Sequence, residues 1–535
     1  MSSKSIPAWL EEAVFYQVYP QSFYDSNGDG IGDIPGIQLK LDYLETLGVN
    51  AVWINPCFDS PFLDAGYDVS DYYRVAPRYG TNDDLRALFA EAARRGIRIL
   101  LDLVPGHTSI EHPWFQASCR HARNEYSDWF IWTDSVWAWM VPGLRAISGY
   151  AERDGCFVTN FFYHQPALNY GFAAPDPAHP WQQPVDAPGP QRVREELRRI
   201  MRFWLEMGAS GFRVDMAGWL VKGDPDSREN IRLWQEMRAW LDREFPEACL
   251  VSEWFEPALA IQAGFHVDFC PTLANAALFR RPDLRGLGAN PYAYSFFNPV
   301  GTGNIREFVD HYLRHYAQIK GRGHIALFSG NHDLTPRLST GLGVEDLKLA
   351  FLFLLTMPGP PFIYYGDEIG MRTVEGLPSK EGGYQRTGVR TPMQWDRSPN
   401  AGFSTAPAER LYLPVDDRPD RPTVADQLDD PDSLLSCVRH LIALRRAHPA
   451  LCASGEWSPV FAEAGRYPFV YRRSGGDENL LVAINPADRP VEVDLGQVAI
   501  QGPGQTLYGV EGAIVERQGR WVLRLPPVSG GVYRA

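Results

Sequence analysis

Short apolar runs recur along most of the chain, each followed by a polar loop and then by a stretch whose apolar residues repeat at helical spacing. The runs fall at 14–19, 51–54, 98–104, 211–214, 249–253, 265–270, 325–329 and 361–365. Runs this brief, apolar on both faces, predict strands buried in a parallel sheet. Amphipathic segments at 83–95, 193–205 and 231–243 lie between them and predict covering helices. Eight strands alternating with helices over about 450 residues predict an α/β chain closed into a (β/α)8 TIM barrel.

Two segments break this rhythm. Between the third and fourth runs, residues 109–172 are rich in Trp, Phe, Tyr and Gly, and a connector of that length predicts an inserted lobe with structure of its own. After an amphipathic helix at 433–448, the pattern turns to alternating runs at 468–472, 480–484 and 520–525, separated by Gly and Pro. That predicts a C-terminal antiparallel β-sandwich. The expected division is barrel 1–108, lobe 109–172, barrel again 173–450 and β domain 451–535.

Charge and composition narrow the partners. Acidic residues outnumber basic ones by 65 to 51, for a net charge of −14, and no basic run stands out. Nucleic acid and anionic membrane are therefore not expected as partners. No apolar stretch reaches the length of a membrane span, and the N-terminus lacks the apolar core and cleavage site of a leader. Seven scattered cysteines, none in a CxxC pair, suggest free thiols in a reducing compartment. The expectation is a cytoplasmic monomer or small homo-oligomer that meets small imported substrates. The sixteen Trp, 24 Tyr and 28 Phe suit sugar rings, which stack on aromatic faces.

Active sites of such barrels lie at the C-terminal ends of the strands, and polar residues gather there. The third run ends in Asp102-Leu-Val-Pro-Gly-His107 and the fourth in Gly211-Phe-Arg-Val-Asp215. The fifth gives Val251-Ser-Glu253-Trp254 and the seventh Ser329-Gly-Asn-His332-Asp333. Taken alone, an acid at a strand end is commonly a cap. Clustered carboxylates repel one another, so their gathering on one rim points to use rather than structure. These four segments, in this order and spacing, resemble the four signature regions of glycoside hydrolase family 13, the α-amylase family. The resemblance runs over nearly the whole chain, with the lobe matching domain B and the tail domain C.

The resemblance implies a retaining mechanism with Asp215 as nucleophile, Glu253 as general acid/base and Asp333 as stabiliser of the transition state. Such enzymes hold two carboxyls roughly 5–5.5 Å apart. Arg213 shares a strand face with Asp215 and is expected to keep it ionised, whereas Glu253 must start protonated. His107 and His332 resemble the family's histidines for sugar hydroxyls. Gly66-Tyr67-Asp68-Val-Ser-Asp71-Tyr72 resembles a motif whose Tyr stacks on the first glucose, and Arg390-Thr-Pro-Met-Gln-Trp-Asp396 resembles one from the oligo-1,6-glucosidase branch. By that resemblance Asp68 pairs with Arg390 and closes the pocket, which implies attack at non-reducing ends.

Asp25-Ser-Asn27-Gly-Asp29-Gly-Ile31-Gly-Asp33 places oxygens at alternate positions, with Gly where the chain turns. The same loop in that branch binds Ca2+, with the carbonyl of Ile31 among the ligands, which implies a structural calcium here. Three departures from the family pattern stand out. Gly106 replaces Asn before His107, Ala167 replaces Asp in Gln165-Pro-Ala167-Leu-Asn169, and Met216 follows the nucleophile. The expected substrate is a short α-1,4- or α-1,6-linked gluco-oligosaccharide. A trehalose synthase-like isomerase or transglucosylase and a cyclomaltodextrinase-like hydrolase use the same residues and remain alternatives. A catalytically silent relative is disfavoured by the three carboxylates.

Overall fold

The computed structural model describes residues 6–279, 295–496 and 505–535; the first five residues of the stretch read for a leader lie outside them. Its centre is a barrel of eight parallel strands: β1 (Phe15–Val18), β2 (Ala51–Ile54), β3 (Arg98–Leu103), β4 (Gly211–Val214), β5 (Cys249–Ser252), β6 (Val267–Phe269), β7 (His324–Ala326) and β8 (Phe362–Tyr364). These are the eight apolar runs of the sequence. They pair in chain order from β1 to β7, and β8 returns to pair with β1. A bridge between Phe328 and Phe362 nearly closes the ring at the β7–β8 seam, with Ser329 N–H donating to the Phe362 carbonyl at 3.0 Å.

Aromatic side chains fill the barrel. Phe362 stacks on Phe15 at 4.3 Å between ring centres and meets Phe269 at 5.0 Å, while Trp53 meets Phe269 at 5.9 Å. All four are buried. Gly211 opens β4 with φ +143°, and a Cβ there would lie 2.0 Å from the Cys249 carbonyl oxygen of β5. Glycine is thus what lets these two strands, which carry Arg213 and Glu253 to the rim, approach each other.

Helices cover the barrel. The helix Asn82–Arg94 starts in a capping box, in which Thr81 accepts from the Asp84 amide and Asp84 reaches back. The helix Pro188–Met207 buries Val193, Leu197, Ile200, Met201 and Trp204, positions that share one helical face.

Residues between β3 and β4 form a small lobe. Its ladder pairs Arg145–Ile147 with Phe157–Thr159, and Phe115, Phe130, Trp132 and Phe157 pack beneath. The lobe is sewn to the rim where the Leu168 amide donates to the Gly106 carbonyl at 3.1 Å. The chain ends in two sheets of five and three strands, antiparallel throughout, as the alternating runs require. All seven cysteines are buried thiols. Among the described residues no helix is long and apolar enough to cross a membrane.

Two buried arginines gather at one helix end: Arg445 from within the barrel domain and Arg473 from the tail, which it joins to the barrel. The helix Val344–Thr356 ends inside the protein, where its last carbonyls have no helical partner. Arg445 donates to the carbonyls of Leu355 at 3.0 Å, Met357 at 2.8 Å and Gly359 at 2.6 Å. Arg473 donates to the carbonyls of Thr356, of Cys452 at 2.7 Å and of Gly455 at 3.2 Å. Burial, and then the neighbouring Arg473 charge, pushes Arg445 down to about 9. The helix dipole and the carbonyls offset that cost. Arg445→Met should therefore remove at least about 3 kcal/mol of stabilisation and lower the calorimetric melting temperature by several degrees. An unchanged melting temperature would show that the carbonyls need no charged partner.

Candidate active site

Asp102 in β3, Arg213 in β4, Asp215 after β4 and Glu253 after β5 meet at the C-terminal rim. One guanidinium binds all three acids. Arg213 Nη1 lies 2.9 Å from Asp102 Oδ1 and 3.0 Å from Asp215 Oδ1, and Nη2 lies 2.9 Å from Glu253 Oε2. The guanidinium sits over the Trp53 ring at 4.9 Å, a cation–π contact in a dry setting.

One positive charge is shared among the three carboxylates. Burial, opposed by Arg213, pushes Asp102 up to about 6. Burial and then the Glu253 carboxylate push Asp215 well above the ordinary range against the pull of Arg213. The expected Arg213–Asp215 pair is formed at 3.0 Å, and its downward pull on Asp215 is opposed by burial and by the Glu253 carboxylate.

Asp333 lives in a different field. Its carboxylate binds Arg386 and lies 3.1 Å from Arg390 Nη2 and 3.3 Å from His332 Nε2. Burial works upward, yet His332, Arg390 and Arg386 together hold Asp333 well below the usual carboxylate range. The two arginines carry that pull, because burial lowers His332 to about 3 and keeps its ring neutral.

The expected pair of Asp68 and Arg390 is not formed. Asp68 is fully buried and accepts from Ser60 Oγ at 3.0 Å and from the amides of Leu63 at 2.9 Å and Asp64 at 3.0 Å. It serves the tight loop beneath the site, where buried amides need an acceptor. Arg390 turns instead to the His332 carbonyl at 2.9 Å and to Asp333. The acid that faces the arginines is Asp64. It lies 3.9 Å from Arg386 Nη2 and accepts from Gln165 Nε2 at 2.7 Å. Burial, opposed by Gln165 and Arg386, pushes it up to about 6.

Tyr67 and His332 form a plate between these two halves. Their rings stack at 5.4 Å, and the Tyr67 hydroxyl donates to Asp102 at 2.9 Å while lying 2.8 Å from His332 Nε2. Gln17 Nε2 lies 3.0 Å from the other nitrogen of His332. His107 Nε2 lies 3.0 Å from the Tyr67 carbonyl oxygen, and burial lowers His107 to about 3. Sequence reading assigned no role to Asp102, Asp64, Arg386, Gln165 or Gln17. Asp102 and Gln165 stood inside motifs already noted, and Arg386 lies four residues before Arg390 on one 3-10 segment, Tyr384–Val389.

At the junction with the lobe, the ammonium of Lys222 donates to Asn160 Oδ1 at 2.9 Å and to the Trp219 carbonyl at 3.0 Å. Burial lowers it to about 8. Gly106 leaves the room, since a Cβ there would lie 3.0 Å from Asn160 Nδ2. The loop of Asp25, Asn27, Asp29, Ile31 and Asp33 curls through its own amides. Asp25 accepts from the amides of Asn27, Gly28 and Gly30, Asn27 from Asp29 at 2.9 Å, and Asp29 from Ile31 at 2.8 Å. Asp33 caps the helix Ile34–Leu39 through the Gly36 amide. Among the described residues no three acidic, His or Cys side chains gather as a chelating group.

A family model described as the α-amylase catalytic domain matches residues 17–454. The trehalose synthase/amylase TreS of Mycobacterium tuberculosis is 32% identical over 92% of this chain and 84% of its own. The oligo-1,6-glucosidase of Parageobacillus thermoglucosidasius is 32% identical over 90% of this chain and 91% of its own. The crystal structure of the trehalulose synthase MutB from Pseudomonas mesoacidophila superposes with a TM-score of 0.80 at 28% identity, covering 99% of this chain and all of that one.

The position of Asp64 generates a pH prediction. A group near 6 in the free protein, ionised when it accepts from Gln165, should appear as an acid limb in the profile of kcat/KM. Asp64→Asn should lower kcat/KM and shift that limb to lower pH. A limb that stays in place would assign the ionisation to another acid.

Proposed function

The chain belongs to the α-amylase family, and we propose that it is a retaining α-glucosidase that removes glucose from the non-reducing ends of short α-1,4- or α-1,6-linked oligosaccharides. One observation carries this reading: Asp215 and Glu253 sit side by side on the Arg213 guanidinium while Asp333 is kept ionised by two arginines. The two environments divide the roles. As positive charge grows at the anomeric carbon, it favours ionised Asp215, which attacks, and the proton of the pair passes from Glu253 to the leaving oxygen. Water then attacks the glucosyl ester, and Glu253 takes up its proton. Asp333, held charged, faces the developing oxocarbenium.

Asp64, Arg386 and Arg390 crowd one end of this constellation, which supports a pocket for a single terminal glucose. Tyr67 and His332 supply a stacking face and polar groups there. A second reading, isomerisation or glucosyl transfer, draws support from a ring contact between the lobe and the loop that carries Arg386. Tyr384 of the β8 loop meets Phe162 of the lobe at 5.9 Å, and a cleaved sugar retained between lobe and loop would compete with water as acceptor. Trehalose synthases among the relatives point the same way.

Product analysis separates the readings. A reducing-end-labelled maltopentaose should give labelled tetraose first, and maltose should give free glucose. Labelled maltose or maltotriose without tetraose would mean an open site, and trehalose from maltose would make the protein an isomerase. Asp215→Asn should abolish every product by several orders of magnitude.

We also propose that the Asp25–Asp33 loop takes one Ca2+ and that the protein works in the cytoplasm, a setting its buried thiols suit. The donors are all oxygens, as calcium requires, and the ion would depend on Asn27 and the Ile31 carbonyl as well as the acids. Ca2+ that binds only the folded chain must raise its melting temperature. Elemental analysis should find one calcium per chain, and chelation should lower the melting temperature; a metal-free protein of equal stability would leave the loop closed by its amides alone.

A further inference from the structure

We infer that the backbone N–H of Met216 is a positioning donor for the acid/base, fixing one oxygen of Glu253 so that the transferable proton resides on the other. The inference rests on the reading of Glu253 as acid given above. Met216 directly follows Asp215 and lies in the left-handed region, with φ 48° and ψ 36°. Residues with side chains adopt that conformation at a cost, and such strain concentrates where a site needs it. Here it sends the amide to the neighbouring strand end, where it donates to Glu253 Oε2 at 3.2 Å. The same oxygen receives Arg213 at 2.9 Å. An oxygen holding two donors, one of them charged, is the poorer place for a proton, so the proton falls to Oε1.

The strained turn is fastened on both sides. The next amide, that of Ala217, donates to the Glu253 carbonyl at 3.2 Å. Gly218 then lies against Trp254, where a Cβ would come within 2.4 Å of the indole nitrogen. Three consecutive residues after the nucleophile are thus locked onto the two residues Glu253 and Trp254. The chain that places Asp215 also orients the proton that must leave with the departing sugar. In the first step the bond from Asp215 to the anomeric carbon forms, the bond to the leaving oxygen breaks, and that oxygen takes the proton from Glu253 Oε1. In the second, the oxygen of water bonds to the anomeric carbon as the bond to Asp215 breaks, and water's proton passes to Glu253.

A donor that orients the proton matters only when the leaving group needs one. Replacing Met216 by its α-hydroxy analogue turns the amide into an ester, removing the N–H and keeping the side chain. We expect kcat/KM for maltose to fall roughly tenfold more than for α-glucosyl fluoride, whose leaving group needs no proton. Met216→Gly keeps the N–H and accepts the left-handed turn, so its maltose-to-fluoride ratio should stay with the native protein. Met216→Ile, whose branched side chain opposes the turn, should reproduce the ester signature by ordinary mutagenesis if the ester protein does not fold. A native maltose-to-fluoride ratio in the ester variant, or in Met216→Ile where that stands in, would overturn the inference. Glu253→Gln tests the underlying reading by itself: it should spare kcat/KM for the fluoride, which reports only the first step, and equal loss of kcat/KM on both substrates would remove Glu253 as the acid.

Discussion

Arg213 is the interaction on which the site depends. Two like charges at 4 Å repel by about 4 kcal/mol at an effective dielectric near 20, and the barrel mouth gathers Asp102, Asp215 and Glu253 around one point. Without a central cation the strand ends would be driven apart or the acids neutralised. Burial raises Asp102 and Asp215 against the pull of that one cation. An uncompensated cluster would not fold around its charges.

The rim therefore has two electrostatic halves. Around β3, β4 and β5 the acids are in excess. Past β7 the balance reverses, and Asp333 faces Arg386 and Arg390. Tyr67 and His332 stand between, and their hydroxyl and ring nitrogens couple Asp102 on one side to the Asp333 segment on the other. Because both histidines stay neutral well below pH 6, they contribute hydrogen bonds without moving charge as the carboxyls titrate. Acid and base chemistry on one substrate needs such a division, with groups of one type driven apart by their surroundings.

Much of this was legible in the chain. Eight short apolar runs gave the strands, because burial on both faces leaves no other pattern, and the acids at their ends lay where a barrel puts its chemistry. Asp68 and Asp64 could not be told apart by spacing. Both occupy one loop, and which of them faces inward depends on turns at Phe62 and Ala65, non-glycine residues with φ of 60° and 50° that no residue preference foretells. Arg386 was hidden for a related reason, since its role arises only when a 3-10 segment of the β8 loop folds back over the rim. Sequence pattern assigned no role to Arg445 or Arg473, since arginine is mostly a surface residue and their partners are carbonyls of a buried helix end.

The contact between Tyr384 and Phe162 links the choice of acceptor to the joint between lobe and barrel. On the proposed mechanism a glucosyl ester would persist until water or another hydroxyl reached the anomeric carbon, so the outcome would be set by which acceptor enters and how soon. Lys222 ties the lobe at Asn160 to the turn at Trp219, four residues after the nucleophile, while Phe162 lies two residues beyond Asn160. One side of the lobe is therefore pinned to the turn after Asp215, and another meets the β8 loop in the Tyr384–Phe162 ring contact. On the proposed mechanism a change at that ring contact could alter which acceptor enters while Arg213 and its acids keep their contacts.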